Sequence, residues 1–294
     1  MKSILSLIAA GALIGMLMNA SRGEAQVKPA PGPSGKPHSF EASFTPYHLA
    51  YREDVTPPLK STESGWLPGF GLAYGYKGKN PRPHGPPAPY ARLALGLTVA
   101  NTHYDGSDQL GNPLLGTTRN VFVRGEGNLG LTLFSTLNPP RGPGDFTAYT
   151  GLGYRFWERG LGSDTSGYRE HYSWKYVPVG MRVGYRVNEK WCGAVDVSAR
   201  FMFGGTILVY LSDLYAGYND PQMNLGNRPG WRVEAPLYYR FWSFTPWFEH
   251  SYIGRSNSEE VTYYGRPLNP RIAVYEPSST TYQFGLAVGA RVSF

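Results

Sequence analysis

The final stretch of the chain alternates strictly between apolar residues and small or polar residues. Its apolar positions are Tyr282, Phe284, Leu286, Val288, Ala290, Val292 and Phe294, and the positions between them are Thr281, Gln283, Gly285, Ala287, Gly289, Arg291 and Ser293. A period of two predicts a β-strand. One wholly apolar face on a strand of this length is typical of a membrane-spanning strand, which takes about 9 to 11 residues and places lipid on one side and polar groups on the other.

Nine earlier segments follow the same rule. We predict strands at 39–51, 66–77, 89–104, 120–134, 146–157, 172–187, 191–203, 231–241, 247–254 and 281–294. The odd connections (52–65, 105–118, 158–170, 204–230 and 255–279) are generally longer than the even ones, of which 188–190 is the tightest turn and 243–246 another short one. Long outer loops, short inner turns and an even strand count are typical of bacterial barrels. The predicted fold is all-β, a single antiparallel transmembrane β-barrel of ten strands.

The beginning of the chain has the pattern of an export signal. Lys2 precedes an apolar run from Ile4 to Met18, and small residues at Gly23 and Ala25 predict cleavage before Gln26. Such a run is too short and too early for a helical span. We therefore expect a signal peptide at 1–25, a flexible Pro- and Lys-rich periplasmic segment at 26–38, a barrel at 39–294 and a location in the outer membrane.

Composition agrees with a barrel and excludes other classes. Aromatic residues make up 15% of the chain and fall mostly near predicted strand ends, where amphipathic rings meet the lipid headgroups. The net charge of +7 does not indicate nucleic-acid binding, because the basic residues recur singly within strands and no nucleic-acid motif accompanies them. The single cysteine, Cys192, excludes an internal disulfide framework and is expected to be a small buried thiol.

The last residue strengthens the membrane interpretation. A terminal aromatic residue, Phe294, ending an alternating strand resembles the closing strand of Gram-negative outer-membrane β-barrels. That resemblance implies barrel closure at Phe294, recognition by the outer-membrane assembly machinery, and contact with outer-membrane lipid and lipopolysaccharide. It implies no particular activity.

The inward faces of the predicted strands carry an excess of positive charge. The predicted lumen charge network consists of Arg92, Arg124, Glu126, Arg155, Arg182, Arg186, Asp196, Arg200, Arg232, Glu234, Arg240, Glu249 and Arg291. Nine cations face four anions in this set. A barrel of ten strands is narrow enough for side chains to fill, so the first interpretation is a paired polar plug. The second is a narrow pore that prefers anions, as pores with rings of Arg do.

One segment contains the ingredients of an acyl hydrolase. Glu249, His250 and Ser251 supply an acid, an imidazole and a hydroxyl, and the combination is superficially similar to the outer-membrane lipid A deacylases. In that family one residue separates the His from the Ser, whereas here the two are adjacent and point to opposite faces of a strand. We therefore assign no catalytic residue. The scattered histidines predict no metal site, and nothing in the sequence implies a cofactor.

The outer loops suggest a binding role. Segments 211–230 and 255–279 are rich in Tyr, Asn, Asp and Pro, a composition suited to contact with other surfaces. The sequence thus predicts an outer-membrane barrel with a structural role or with a surface ligand bound through these loops. A narrow anion-preferring pore is the alternative, followed by a lipid acyl hydrolase.

Overall fold

Ten antiparallel strands form a closed hydrogen-bonded ring in a computed structural model, as predicted. The structure describes residues 37–78, 86–108, 111–134, 143–161, 167–188 and 190–294. Three ring positions are strands interrupted by short breaks. The bounds are β1 (His38–Phe44 and Tyr47–Glu53), β2 (Ser61–Leu67 and Gly69–Lys77), β3 (Ala88–Ser107), β4 (Pro113–Phe134), β5 (Pro143–Leu161), β6 (Arg169–Arg186), β7 (Trp191–Val209), β8 (Pro229–Glu234 and Leu237–Tyr239), β9 (Trp242–Ile253) and β10 (Ser279–Ser293).

The last strand closes the ring. β10 pairs with β9 on one side, where Phe248 lies opposite Phe284, and with β1 on the other, where Phe40 lies opposite Val292. All neighbouring pairs in the ring are antiparallel. Ring closure leaves no unpaired sheet edge among these strands, which is the condition for a sheet to exist within hydrocarbon.

The outer surface of the ring is an apolar band. Leu93, Leu95, Leu97 and Val99 of β3 are all about half exposed, and their alternate neighbours point into the lumen. Aromatic pairs border the band near the end at which His38 and Phe294 lie, which we call the inner end, and include Trp191 with Tyr239 and Phe241 with Trp242. His48, Trp66 and Phe284 form a ring cluster toward the other end. An apolar band of this kind is the surface that a transmembrane barrel presents to the hydrocarbon of the bilayer.

Several strands continue beyond their predicted ends on the loop side, which we call the outer end. The sequence predicts loops over 52–65, 105–118 and 158–170, but β2 begins at Ser61, β4 begins at Pro113, and β5 runs to Leu161. These predicted loops were therefore too long. Beyond the apolar band, polar residues point outward and aromatic residues point inward, which reverses the polarity of the two faces. A prediction that looks for apolar outward faces therefore ends each strand too early.

Two predicted inner connections also differ. The sequence predicts a turn at 243–246, whereas β9 begins at Trp242 and only Arg240 and Phe241 link it to β8. This connection is shorter than the one predicted to be tightest, at 188–190, which lies between Arg186 and Trp191. Arg240 has a φ of 55°, the left-handed conformation that such short hairpin connections require.

Hydrogen bonds join the two long outer loops to each other. Gly226 and Gly254 exchange backbone hydrogen bonds of 3.0 and 2.8 Å. The Asn257 side chain accepts from the Asn224 backbone N–H at 2.6 Å, and Asn219 makes side-chain contacts with Thr262 and Glu260. We call the pair of loops, 210–228 and 254–278, the loop tier. Its many hydrogen bonds give it a defined structure above the barrel.

Some of the predictions from the sequence concern residues that lie outside the described ranges. The signal peptide at 1–25 lies outside the described residues, as does most of the segment 26–38, and β1 already begins at His38. Within the described ranges, no helix has the length and hydropathy needed to cross a bilayer.

Candidate functional site

Glu249 is the centre of the charged lumen. It lies on β9 with 1% of its surface exposed, and it accepts from Arg232 at 2.9 Å and pairs with Arg155 and Arg200. Ser251 Oγ donates to the same carboxylate at 3.1 Å. A carboxylate removed from water needs such partners, because an unpaired buried charge is costly. Three guanidinium groups from β5, β7 and β8 therefore meet on one acid from β9.

Two further acids extend this cluster. Glu126 accepts from Arg200 at 2.7 Å and from the Tyr176 hydroxyl at 2.8 Å. Glu234 accepts from Arg232 at 2.6 Å and lies 3.7 Å from Arg92. Because Arg200 and Arg232 each bind two carboxylates, the network ties several strands together across the lumen.

A second layer of charged side chains lies nearer the end of the barrel at which His38 and Phe294 pair. Arg182 lies 3.5 Å from Asp196 and donates to the Tyr238 hydroxyl at 3.1 Å, while Tyr149 donates to Asp196 at 2.5 Å. The guanidinium of Arg291 stacks 4.5 Å from the centre of the Tyr238 ring. Hydroxyl groups and aromatic faces thus complete the coordination that the few acids cannot provide.

Four predicted site residues lie apart from these ion pairs. Arg124 stacks 5.5 Å from the Trp247 ring, and within the described chain no carboxylate lies at ion-pair distance from it. Arg186 ends β6 opposite Cys192 of β7, whose thiol is half-buried. The prediction that Arg240 faces the lumen was wrong, because it lies exposed in the β8–β9 connection. Phe294 exchanges backbone hydrogen bonds with His38 of β1, and the two rings stack at 5.6 Å.

A second charged cluster, not predicted from the sequence, lies near the outer end. Arg159 contacts Glu63 at 2.7 Å, Glu170 at 3.0 Å and Glu53 at 3.3 Å. Arg159 and Glu63 lie in segments that were predicted to be loops. A signal was present, because Arg155 and Arg159 are four residues apart in one strand and therefore share a face. Acids outnumber bases here, the reverse of the lumen below.

Aromatic side chains pack together inside the barrel at this level, and we call this cluster the aromatic seal. Trp157 stacks between Phe122 at 5.0 Å and Tyr172 at 5.1 Å, and Tyr51 meets it edge-on at 5.2 Å. The buried members of the seal are Tyr51, Trp157, Tyr172, Trp174, Tyr176, Ile207, Val209, Met223, Leu225 and Ile253. Met223 and Leu225 belong to the loop tier, so the loops contribute to the seal. A second buried cluster, Tyr47, Leu49, Leu67 and Trp247, lies beside it.

Glu276 joins the loop tier to the wall of the barrel. Its carboxyl accepts from the Tyr172 hydroxyl at 2.8 Å and from the Tyr51 hydroxyl at 3.3 Å. Burial, followed by the negative charges of Glu53 and Glu170, raises the pKa of Glu276 well above its usual range. The protonated, neutral form of this acid is therefore favoured in the folded protein.

A polar cavity of about 100 Å³ lies inside the barrel, where its lining includes Tyr176 of the seal. Its charged lining consists of Arg92, Arg124, Arg200, Arg232, Glu41, Glu126 and Glu234. Gly96 provides space here, since a Cβ at that position would meet the Arg124 side chain at 2.4 Å.

The candidate hydrolase residues do not meet. His250 faces outward between the rings of Tyr282 at 5.0 Å and Trp231 at 6.1 Å. Ser251 faces the lumen, where it binds Glu249. The two side chains therefore lie on opposite faces of β9, as their adjacency requires.

Comparisons with known proteins give a likeness of fold. No protein-family model and no curated protein matches the sequence. Among solved structures, the outer-membrane protease OmpT from Escherichia coli is 12% identical, with a TM-score of 0.47 over 93% of this chain and 100% of that chain. The transport unit of the autotransporter AIDA-I from Escherichia coli is 9% identical, with a TM-score of 0.40 over 96% and 97%.

The outer-membrane protein OprG from Pseudomonas aeruginosa is 10% identical, with a TM-score of 0.35 over 88% of this chain and 98% of that chain. These similarities are weak and concern the fold alone. The closed ring of ten strands and its apolar outer surface define the architecture as that of a membrane-spanning β-barrel.

Proposed function

We propose that this protein is a closed barrel of the Gram-negative outer membrane that presents its loop tier as a binding surface. The aromatic seal carries this proposal. Trp157 is 1% exposed and Tyr172 is fully buried, and both lie within the lumen beneath loop residues. A lumen filled in this way supports display of the loops in preference to passage of solutes.

The surface of the loop tier favours contact with a partner. Tyr215, Tyr218, Tyr263 and Tyr264 form a chain of edge-on ring contacts, the closest at 4.6 Å. Tyr264 is 74% exposed and has a φ of 47°, a conformation that is unusual for a bulky residue. Backbone strain of this kind clusters at functional positions, and exposed tyrosines provide rigid contact area.

Substitution of the tyrosines tests binding better than deletion of the loops, because Met223 and Leu225 of the loop tier are buried in the seal. Asparagine tolerates the left-handed backbone, so Tyr264→Asn keeps the turn while removing the ring. We expect Tyr264→Asn combined with Tyr215→Ser to reduce attachment of expressing cells to surfaces and to neighbouring cells. Tyr275→Ser, at a ring that stacks under Arg255 instead, is the control. Unchanged attachment in the double variant would contradict a binding role.

An anion-preferring pore is the second candidate. The positively charged cavity favours it, since rings of Arg select anions. Conduction would require the seal to move. Planar-bilayer recordings separate the two functions: a closed barrel gives no channel events, whereas anion-selective events from the wild type would support the pore and contradict the closed barrel.

We also propose that the protein is exported and inserted into the outer membrane. We expect a signal peptide cleaved before Gln26, assembly by the outer-membrane machinery through the closing strand, and contact with lipopolysaccharide around the outer end. Membrane fractionation with sequencing of the mature N-terminus tests this. A protein that remains soluble in the periplasm, or retains residues 1–25, would contradict it.

A further inference from the structure

The lumen cavity has one more positive charge than its own acids neutralise. Four guanidinium groups line it, against the three carboxylates of Glu41, Glu126 and Glu234. Each acid is already bound: Glu126 by Arg200 at 2.7 Å, Glu234 by Arg232 at 2.6 Å, and Glu41 by the Ser243 hydroxyl at 2.8 Å. Adding the adjoining pair Arg155 and Glu249 leaves the excess unchanged. The guanidinium without a carboxylate is that of Arg124.

Two side chains that line the cavity carry buried N–H groups that lack acceptors among the described residues. Trp247 is 4% exposed, and its Nε1 has no partner among the described residues. Arg200 Nε is unpartnered in the same way, even though its other nitrogens bind acids. Trp247, Arg124 and Arg200 all line this cavity. The groups without partners are thus N–H donors, and buried donors normally have acceptors.

From these observations we infer that the cavity binds a small monovalent oxyanion, a carboxylate or dihydrogen phosphate, held by the Arg124 guanidinium and Trp247 Nε1. A single negative charge balances the excess, which burial makes costly to leave unbalanced. Guanidinium and indole N–H groups suit the oxygens of such anions. The volume of about 100 Å³ is several times the roughly 10–15 Å³ that one water needs, so an oxyanion fits together with water.

The experiment is to refold the full chain in detergent micelles with radiolabelled phosphate or acetate, remove free ligand by rapid desalting, and measure retention per folded barrel. Refolding with the ligand present avoids dependence on slow entry past the seal. Arg124→Gln removes a cation that has no acid partner and therefore breaks no ion pair. Trp247→Phe removes the indole N–H and leaves a smaller aromatic ring against Arg232 and Tyr47. Arg291→Gln, a lumen arginine that stacks on Tyr238 outside the cavity, is the matched control.

We expect the wild type and Arg291→Gln to retain phosphate or acetate, with whichever anion is preferred identifying the ligand class. Arg124→Gln should lower retention at least about tenfold, since a charge-assisted contact is lost, and Trp247→Phe should lower it less. Heat-dependent gel mobility establishes that each variant is folded. Retention of neither oxyanion, retention unchanged by Arg124→Gln, or equal displacement of both oxyanions by chloride at the same concentration would overturn the inference and leave a cavity that holds water or a halide.

Discussion

The hydroxyl of Tyr172, inside the barrel wall, donates a 2.8 Å hydrogen bond to the carboxyl of Glu276, in a loop above the membrane. Glu53 and Glu170 are close enough to raise the pKa of that carboxyl, while Arg159 opposes them. The contact fixes the loop tier to the seal. It also makes the attachment sensitive to pH, because burial beside other acids raises the pKa of Glu276 and so favours its protonated form.

The first prediction concerns pH. A raised folded-state pKa means that the Glu276 contribution to stability is present below the unfolded pKa of about 4.3 and is lost as pH rises through the folded value. The loop tier should therefore be better protected from protease at acidic pH than at alkaline pH. Glu276→Gln, which is neutral and can still accept from Tyr172, should remove most of this dependence.

The control for this pH experiment is Glu260→Gln, at an exposed residue of the same loop. It should keep the wild-type pH dependence. Equal pH dependence in Glu276→Gln and the wild type would show that another group is responsible. Limited proteolysis across a pH series, followed by mass spectrometry of the cleaved loop, provides the measurement.

The second prediction concerns the lumen. Glu249→Gln leaves Arg155, Arg200 and Arg232 without their shared anion. We expect a loss of about 3–5 kcal/mol in the free energy of unfolding, because removing the carboxylate leaves the buried guanidinium groups without a counter-charge. Urea unfolding in lipid vesicles measures it. Asp54→Asn, at an exposed acid on the outer rim, should have little effect, and equal stability of the two variants would show that the network is not a stabilising unit.

The third prediction locates the lipid. Leu129 and Leu115 lie on the same face of β4 and are 69% and 62% exposed, but only Leu129 lies within the apolar band. Leu129→Arg should cost about 2–4 kcal/mol, as charged residues do near the bilayer midplane, whereas Leu115→Arg should cost close to nothing. Folding into vesicles at increasing urea concentration compares the two. A similar effect at both positions would contradict the assigned membrane band.

The fourth prediction concerns ring closure. Phe294→Ala removes the ring that stacks on His38 and the terminal aromatic residue of the closing strand. We expect a several-fold lower amount of folded barrel in the outer membrane, with export itself unaffected. Heat-modifiable mobility in membrane fractions gives the folded amount. Ser293→Ala is the neighbouring control, and a normal level of folded Phe294→Ala would contradict a role in closure or assembly.

The alternation of side chains was enough to predict the ring. Because neighbouring residues of a strand face opposite sides, Arg92, Arg155 and Arg232 could be placed opposite the apolar band from their positions alone. The same rule separated His250 from Ser251. The rule failed for Arg240, because it applies only within a strand and Arg240 lies in the connection that follows β8.

Sequence by itself therefore determined the strand class, the strand number and the apolar outer surface, since these depend on neighbours along the chain. Only the tertiary structure decided which charges meet, because Glu249 and Arg155 lie on β9 and β5, far apart in sequence and joined across the lumen. The tertiary structure also determined which aromatic residues form the seal, which hydroxyl groups bind Glu276 and which residues line the cavity at Arg124. At the outer end the aromatic residues turn inward because water, and not hydrocarbon, surrounds the strands there.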